Sequence, residues 1–192
     1  MNIGIFGTGI VAQTVGGALA ARGHEVVLGT RDVEASLART EKGPYGNPPL
    51  AQWLQGRANT TRGTFAEAAG AGNVLINATS GAGSLPALEA AGAARLDGKI
   101  LIDIANPLDF SRGFPPSLTV CNTDSLGEQI QRAFPALRVV KALNTLNAGL
   151  MVNPDALPGD HVLFICGNDA SAKARVVSLL GEWFGWKARN IL

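Results

Sequence analysis

The chain is poor in the residues from which metal centres, disulfide frameworks and acid–base dyads are built. Two histidines and two cysteines occur in 192 residues. His24 precedes the second strand-like segment and His161 opens a late one, so they form no metal-ligand spacing, and neither is placed as a general acid. Cys121 and Cys166 stand far apart with no CxxC, which reads as two reduced, buried thiols in a cytoplasmic protein. Charge is scarce as well: Asp, Glu, Lys and Arg make up 16%, with 16 basic and 15 acidic groups for a net +1. That balance excludes the footprint of a nucleic-acid binder and a polybasic membrane patch. No apolar run reaches the ~18 residues of a membrane-spanning helix. The chain opens on a strand-like segment, Asn2–Phe6, without the basic start of a secretory leader. Ser80 lies outside a GxSxG elbow and has no histidine partner, which removes acyl transfer.

What is present is apolar residues at 46% and 24 glycines. The length fits one domain, residues 1–192, able to bury roughly 70% of its unfolded surface. Short, near-continuous apolar runs mark strands at Asn2–Phe6, Glu25–Leu28, Val74–Ala78, Lys99–Ile104, Val139–Leu143 and His161–Cys166, a pattern of strands covered on both faces. Helical periodicity lies between them. Ile10–Arg22 carries Val11, Val15 and Leu19 on one stripe, Ser125–Phe134 opens with the capping-box pattern Ser125-x-x-Glu128, and Ala170–Phe184 follows Asp169 as N-cap. Two stretches break the rhythm: Lys42–Gln55, a Gly/Pro-rich loop running into a short helix through Trp53, and Asn106–Ser117. The β–α alternation predicts an α/β, doubly wound, mainly parallel sheet with a 3-2-1-4-5-6 core and further strands from the last stretch of chain at one edge.

Gly7-Thr8-Gly9-Ile10-Val11-Ala12 follows the first strand and opens the first helix, the context that a Rossmann dinucleotide fingerprint requires. Gly7 permits the turn, Gly9 lets a pyrophosphate approach the backbone, and Ala12 lets the helix pack on the sheet. The helix start at Ile10 and Val11 supplies free N–H groups and the positive dipole end. The tip of the second strand is Gly29-Thr30-Arg31, where an NAD site usually carries an acid. Arg31 can grip a 2′-phosphate with its guanidinium fork, with the Thr30 hydroxyl as a second donor, so NADP is expected over NAD. Ala78-Thr79-Ser80 and Ala105-Asn106-Pro107 end the next central strands on the same crevice, leaving room for the nicotinamide ribose; Asn106 is placed to meet the ring carboxamide. Lys141 and Ala142 sit near the end of the sixth strand, Ala142 as a further cofactor contact and Lys141 as either a crevice cation or an ion-paired lysine.

Gly7-Thr8-Gly9, Gly29-Thr30-Arg31, Ile102–Pro107, Val139–Thr145 and Phe164–Asp169, in that order and spacing, resemble the NADPH-dependent oxidoreductases that exchange hydride with the deazaflavin coenzyme F420. They are similar also to the cytosolic oxidoreductase domain of the six-transmembrane metalloreductases, which passes hydride from NADPH to a flavin. The resemblance covers nearly the whole chain. It implies direct hydride transfer between stacked rings, with no catalytic acid or base and no metal, and an acceptor lying against Ala78–Gly81 and Asn106–Phe114. Two departures stand out. The Lys42–Gln55 loop is longer than the family's helical connection and is expected to fold over the cofactor or reshape the acceptor pocket. The family's acidic-glycine turn and helix beyond the last strand have no counterpart before Leu192. Two other classes share the same glycine loop: a non-catalytic NADP sensor, and a reductase of a small organic substrate akin to the pyrroline-5-carboxylate reductases. The redox partner in the hydride-exchange reading is a small molecule, whereas a sensor would have a partner that reads its cofactor occupancy; no nucleic acid or membrane partner is expected. Low charge and alanine-rich helices further lead one to expect a homodimer or larger.

Overall fold

A computed structural model describes residues 1–192. The chain runs β1 (Asn2–Phe6), α1 (Ile10–Ala20), β2 (Glu25–Thr30), α2 (Val33–Ala38), α3 (Leu50–Leu54), β3 (Thr60–Thr64), α4 (Phe65–Ala71), β4 (Val74–Asn77), α5 (Gly81–Ala91), α6 (Ala93–Leu96), β5 (Ile100–Asp103), β6 (Leu108–Asp109), β7 (Ser117–Leu118), α7 (Leu126–Ala133), β8 (Arg138–Ala142), α8 (Ala148–Val152), β9 (Ile165–Cys166) and α9 (Ala170–Phe184). Seven strands form one sheet in the order β3-β2-β1-β4-β5-β8-β9. The first six are parallel, the expected core order with β8 in sixth place, and β9 joins antiparallel at the edge. The late strand expected over His161–Cys166 pairs with β8 only at Ile165–Cys166. On its other side this stretch bonds to the chain end, the Leu163 N–H to the Asn190 carbonyl and the Ile165 N–H to the Leu192 carbonyl.

Period-2 alternation divides the sheet between two layers. Ile3, Ile5, Val26, Leu28, Ile76, Ile102 and Val140 face α1, α3, α8 and α9, where Trp183 is the largest fully buried side chain. Phe6, Leu75, Leu101 and Val139 face α4, α5, α6 and α7. Asp169 caps α9 as expected, accepting from the Ala172 N–H at 2.8 Å, and Ser125 caps α7 from the Glu128 N–H at 3.2 Å. A full capping box stands at Thr64 and Glu67, ahead of α4. On that side helix and strand meet backbone to backbone: a Cβ on Gly4 of β1 would run into the Ala68 carbonyl of α4. Cys121 and Cys166 are free thiols, but both are exposed; Cys166 lies on the edge strand β9, where Ile165 rather than Cys166 turns to the core, and Cys121 in the connection before α7. This corrects the expectation of buried thiols. No helix is long and apolar enough to cross a membrane.

Two outcomes test this packing. Gly4→Ala is expected to lower unfolding stability by about 3 kcal/mol, because the obstacle is backbone rather than a side chain that can swing away; urea denaturation measures it. Asp124, bonded to Arg132 and then to Gln129, has its carboxyl held down from 3.8 to about 2. The folded state thus sheds a proton that the unfolded chain retains, so the contribution is full above about pH 4 and lost as pH falls towards 2. The gap in urea midpoint between wild type and Asp124→Asn is expected to narrow steadily over that window.

Candidate functional site

The carboxyl ends of the parallel strands open on a cavity of about 1490 Å³. Its floor is the glycine loop and the tips of β4 and β5, and its walls are the segment after α2 and the segment leading into α8. Gly7 has φ +116°, and its N–H donates to the Gly29 carbonyl at 2.9 Å, so it makes the turn from β1. A Cβ there would stand 2.7 Å from the Ala78 carbonyl oxygen. Gly9 is different: nothing lies within 4 Å of where its Cβ would be. It is exposed and caps α1 without any side-chain acceptor, and the first turn of α1 holds no acidic residue. The amides of Ile10 and Val11 therefore open the helix on the cavity side with the dipole's positive end behind them, while Ala12 is buried against the sheet; this is what a phosphate requires. Thr8, Gly9, Ile10 and Val11 all line the cavity. A second uncapped start, α5 behind Ser80, faces it from β4, and Ala78, Thr79 and Ser80 line it there.

At the end of β2, Arg31 is exposed and joins none of the five ion pairs. Asp32, its nearest candidate partner, spends a carboxylate oxygen on the Ala35 N–H as the cap of α2. The Thr30 hydroxyl, expected as a second phosphate donor, is buried and bonded to Ser36 Oγ at 2.7 Å. That is a correction: Thr30 is the last residue of a covered strand, and its side chain points into the structure to stitch β2 to α2.

The three central tips are joined by a polar network inside the apolar core. Asp103 is fully buried. One of its oxygens accepts from Lys141 Nζ at 2.9 Å, the other from Asn77 Nδ2 at 2.8 Å and from the Ala105 N–H at 3.2 Å. Asn77 Nδ2 also donates to Ser84 Oγ at 2.9 Å, and Asn77 Oδ1 accepts from the Thr79 hydroxyl at 2.7 Å. Lys141 is thus the ion-paired lysine of the two expectations, not a crevice cation. Asn106 lines the cavity, yet both ends of its amide are taken: Nδ2 donates to the Asn144 carbonyl at 2.7 Å and Oδ1 accepts from Asn144 Nδ2 at 3.2 Å. It ties the β5 and β8 tips together, which corrects the expectation of an amide free for the carboxamide. Ala142 is fully buried among the core residues and does not line the cavity, another correction; β8 turns away at Leu143, whose φ is +66°, and Asn144 and Leu146 line the cavity instead. Pro107 is half-buried behind Asn106, with its Cα against Gly81.

The segment after α2 is the part of the site that motif reasoning did not resolve into residues. Arg39, Lys42, Tyr45 and Asn47 line the cavity, and the Leu50–Leu54 helix anchors the segment through Leu50 and Trp53 in the core. Gln13 of α1 holds the segment to the glycine loop, its Nε2 donating at 3.0 Å to both the Thr8 and the Pro48 carbonyls. Neither Arg39 nor Lys42 has an ion-pair partner. At the opposite wall, the exposed apolar side chains of Leu108 and Phe110 line the opening. His24 lies outside this region, against Trp183 at 5.9 Å between ring centroids; burial, then the neighbouring N-terminal charge, pushes its imidazole below the usual range.

A glycine-rich turn, an uncapped helix start and a cavity at the switch point of a parallel sheet define a dinucleotide-binding α/β protein. Residues 2–107 match the family of coenzyme F420-dependent NADP oxidoreductases, and the chain belongs to that family of NADP-dependent oxidoreductases. It is 30% identical over 179 residues to metalloreductase STEAP3 of Rattus norvegicus, covering 91% of this chain. The chain spans only 30% of that relative's length. A crystal structure from Arthrobacter sp. FB24, assigned as an F420-dependent NADP-reductase, superposes with a TM-score of 0.90 at 52% identity, over all of this chain and 83% of the other. The imine reductase of Streptomyces aurantiacus shares the fold, with a TM-score of 0.65 at 17% identity over 96% of this chain and 53% of that one.

The Thr30 hydroxyl gives a clear test. Thr30→Val is expected to cost about 1 kcal/mol of stability through the lost Ser36 bond, while the ratio of NADPH to NADH affinity stays at the wild-type value. A fall in that ratio in fluorescence titrations would return Thr30 to the phosphate.

Proposed function

We propose that this chain binds NADP(H) along the cavity and exchanges hydride between the nicotinamide and F420 or a flavin. The observation that carries the reading is the chemistry of the cavity floor. Ala78, Thr79, Ser80, Ala105, Asn106 and Asn144 are small, hydroxyl or amide residues, and the titratable side chains of the lining all belong to the Arg39–Tyr45 wall. A floor with no group to carry a proton suits a reaction that needs alignment rather than acid–base assistance. When bound, the nicotinamide supplies the hydride chemistry, between its C4 and C5 of F420 or N5 of a flavin. The protein's part is to hold and orient. The amides of Ile10 and Val11 take the pyrophosphate, into the space that Gly9 leaves open. Arg31, exposed at the β2 tip outside the cavity lining and free of carboxylates, takes the 2′-phosphate. Leu108 and Phe110 offer an apolar wall to a planar acceptor and exclude water from one side of the gap.

Gly9→Ala is expected to fold with wild-type stability and to bind NADPH at least tenfold more weakly, since its methyl group occupies phosphate space rather than protein space. Arg31→Ala is expected to weaken NADPH by about 1.5–3 kcal/mol, roughly 10- to 150-fold, with NADH nearly unchanged. Arg31→Lys recovers only part, because an ammonium lacks the fork. Equal loss of both nucleotides would make Arg31 a structural residue. The acceptor is tested by stopped-flow oxidation of NADPH with F420, FMN, FAD and ferric chelates in parallel. Fast oxidation by F420 or a flavin supports the reading; NADPH bound but oxidised by none of them leaves a binding module or a reductase of a small organic substrate.

A further inference from the structure

We infer that the Asp103–Lys141 pair is a positioning element for the nicotinamide end of the cofactor, acting through Ala105 without touching the ring; the inference rests on the NADP(H) reading above. The two residues are direct neighbours in the parallel register of β5 and β8. Both peptide groups flanking Ala105 end on them. The Ala105 N–H donates to the Asp103 carboxylate at 3.2 Å, and the Ala105 carbonyl accepts from Lys141 Nζ, which also holds Asp103 at 2.9 Å. A carboxylate on one side and an ammonium on the other leave the chain at Ala105 no freedom to rotate.

Stability does not account for the pair. Desolvating two charges offsets most of their attraction, and apolar replacements of such pairs are often neutral or better. The neighbouring positions of these strands, Leu101 with Val139 and Ile102 with Val140, are filled by such residues. An apolar pair at 103 and 141 would pack, but would leave the Ala105 peptide groups without partners. Ala105 and Asn106 line the cavity, whereas Lys141 and Asp103 do not. The pair also reaches the next tip through Asn77 and Thr79, so one carboxylate sets the β4 and β5 tips relative to each other. Three strand spacings, roughly 14 Å at ~4.8 Å each, separate β5 from β2 and Arg31. The clamp therefore acts on the half of the ligand remote from the 2′-phosphate, and its net neutrality leaves the field on the phosphates unchanged.

The test separates the two halves of the ligand and needs no acceptor. Dissociation constants are measured by titration for NADPH and for 2′-phospho-ADP-ribose, which lacks the nicotinamide. The variants are Asp103→Asn/Lys141→Met, which removes both charges at similar volume, and Lys141→Arg, which keeps the charge balance but spreads its donors over a fork. The double variant is expected to bind 2′-phospho-ADP-ribose within about twofold of wild type and NADPH roughly tenfold more weakly, with Lys141→Arg intermediate. A folded double variant that keeps the wild-type ratio of the two constants overturns the inference, as does equal weakening of both ligands. Where thermal melting shows the double variant unfolded, Lys141→Arg alone decides, and an unchanged ratio overturns the inference. Wild-type protein that binds neither ligand overturns the cofactor reading itself, a result distinct from a variant that keeps the ratio.

Discussion

The reversal of sheet order between β1 and β4 is the constraint on which the site depends. β1 pairs in parallel with β2 on one side and β4 on the other, so Phe6 stands beside both Gly29 and Asn77. From β1 the chain moves outward through α1 on one face, and from β3 it returns through α4 on the other. The connections leaving β1 and β4 part in opposite directions, and the gap between them is where a ligand finds backbone amides instead of side chains. Common register brings the tips to one level, which makes the gap a floor rather than a staircase.

That floor is built at a cost to the core beneath it. Asn77, Ser84 and Asp103 are fully buried among Ile, Leu and Val, where an unpaired polar group is expensive. Each is satisfied by another, and fully paired networks stiffen what they connect. The contrast is Gln13, whose Nε2 serves two carbonyls while its buried Oε1 has no partner. The polar layer occupies the tips; one residue further back, β4, β5 and β8 carry Ile76, Ile102 and Val140.

The parts of this arrangement visible in the sequence were those with a single physical cause. β1, the glycine turn and α1 follow from an apolar run, two glycines and a 3.6-residue stripe. α9 runs from Ala170 to Phe184, as its cap and periodicity required. β3 carried no such signal, because Thr60–Thr64 is an edge strand of mostly exposed polar residues, held by backbone pairing to β2. The site divided along the same line. Thr8 to Val11 and Ala78 to Ser80 reached the cavity because their place depends on backbone alone. Thr30, Asn106 and Ala142 did not behave as read, since side-chain direction at a strand end depends on neighbours distant in sequence: Ser36, Asn144 and the turn at Leu143. The wall at Arg39–Asn47 was visible as an irregular loop but not as named contacts, because Gly/Pro-rich chain takes its path from what it is tied to, here Gln13.

The two layers of the sheet are not equally open to change. Over α4 the spacing is set by main chain, with Gly4 against Ala68 and Gly72 against Asn2, so repacking the surrounding side chains leaves it in place. Over α1, α8 and α9 the spacing is set by Val15, Leu19, Met151 and Trp183, which repacking can alter. Redesign of this protein for a different nucleotide or acceptor therefore has one rigid face to build from and one adaptable face to work on, and the cavity wall at α8 belongs to the adaptable one.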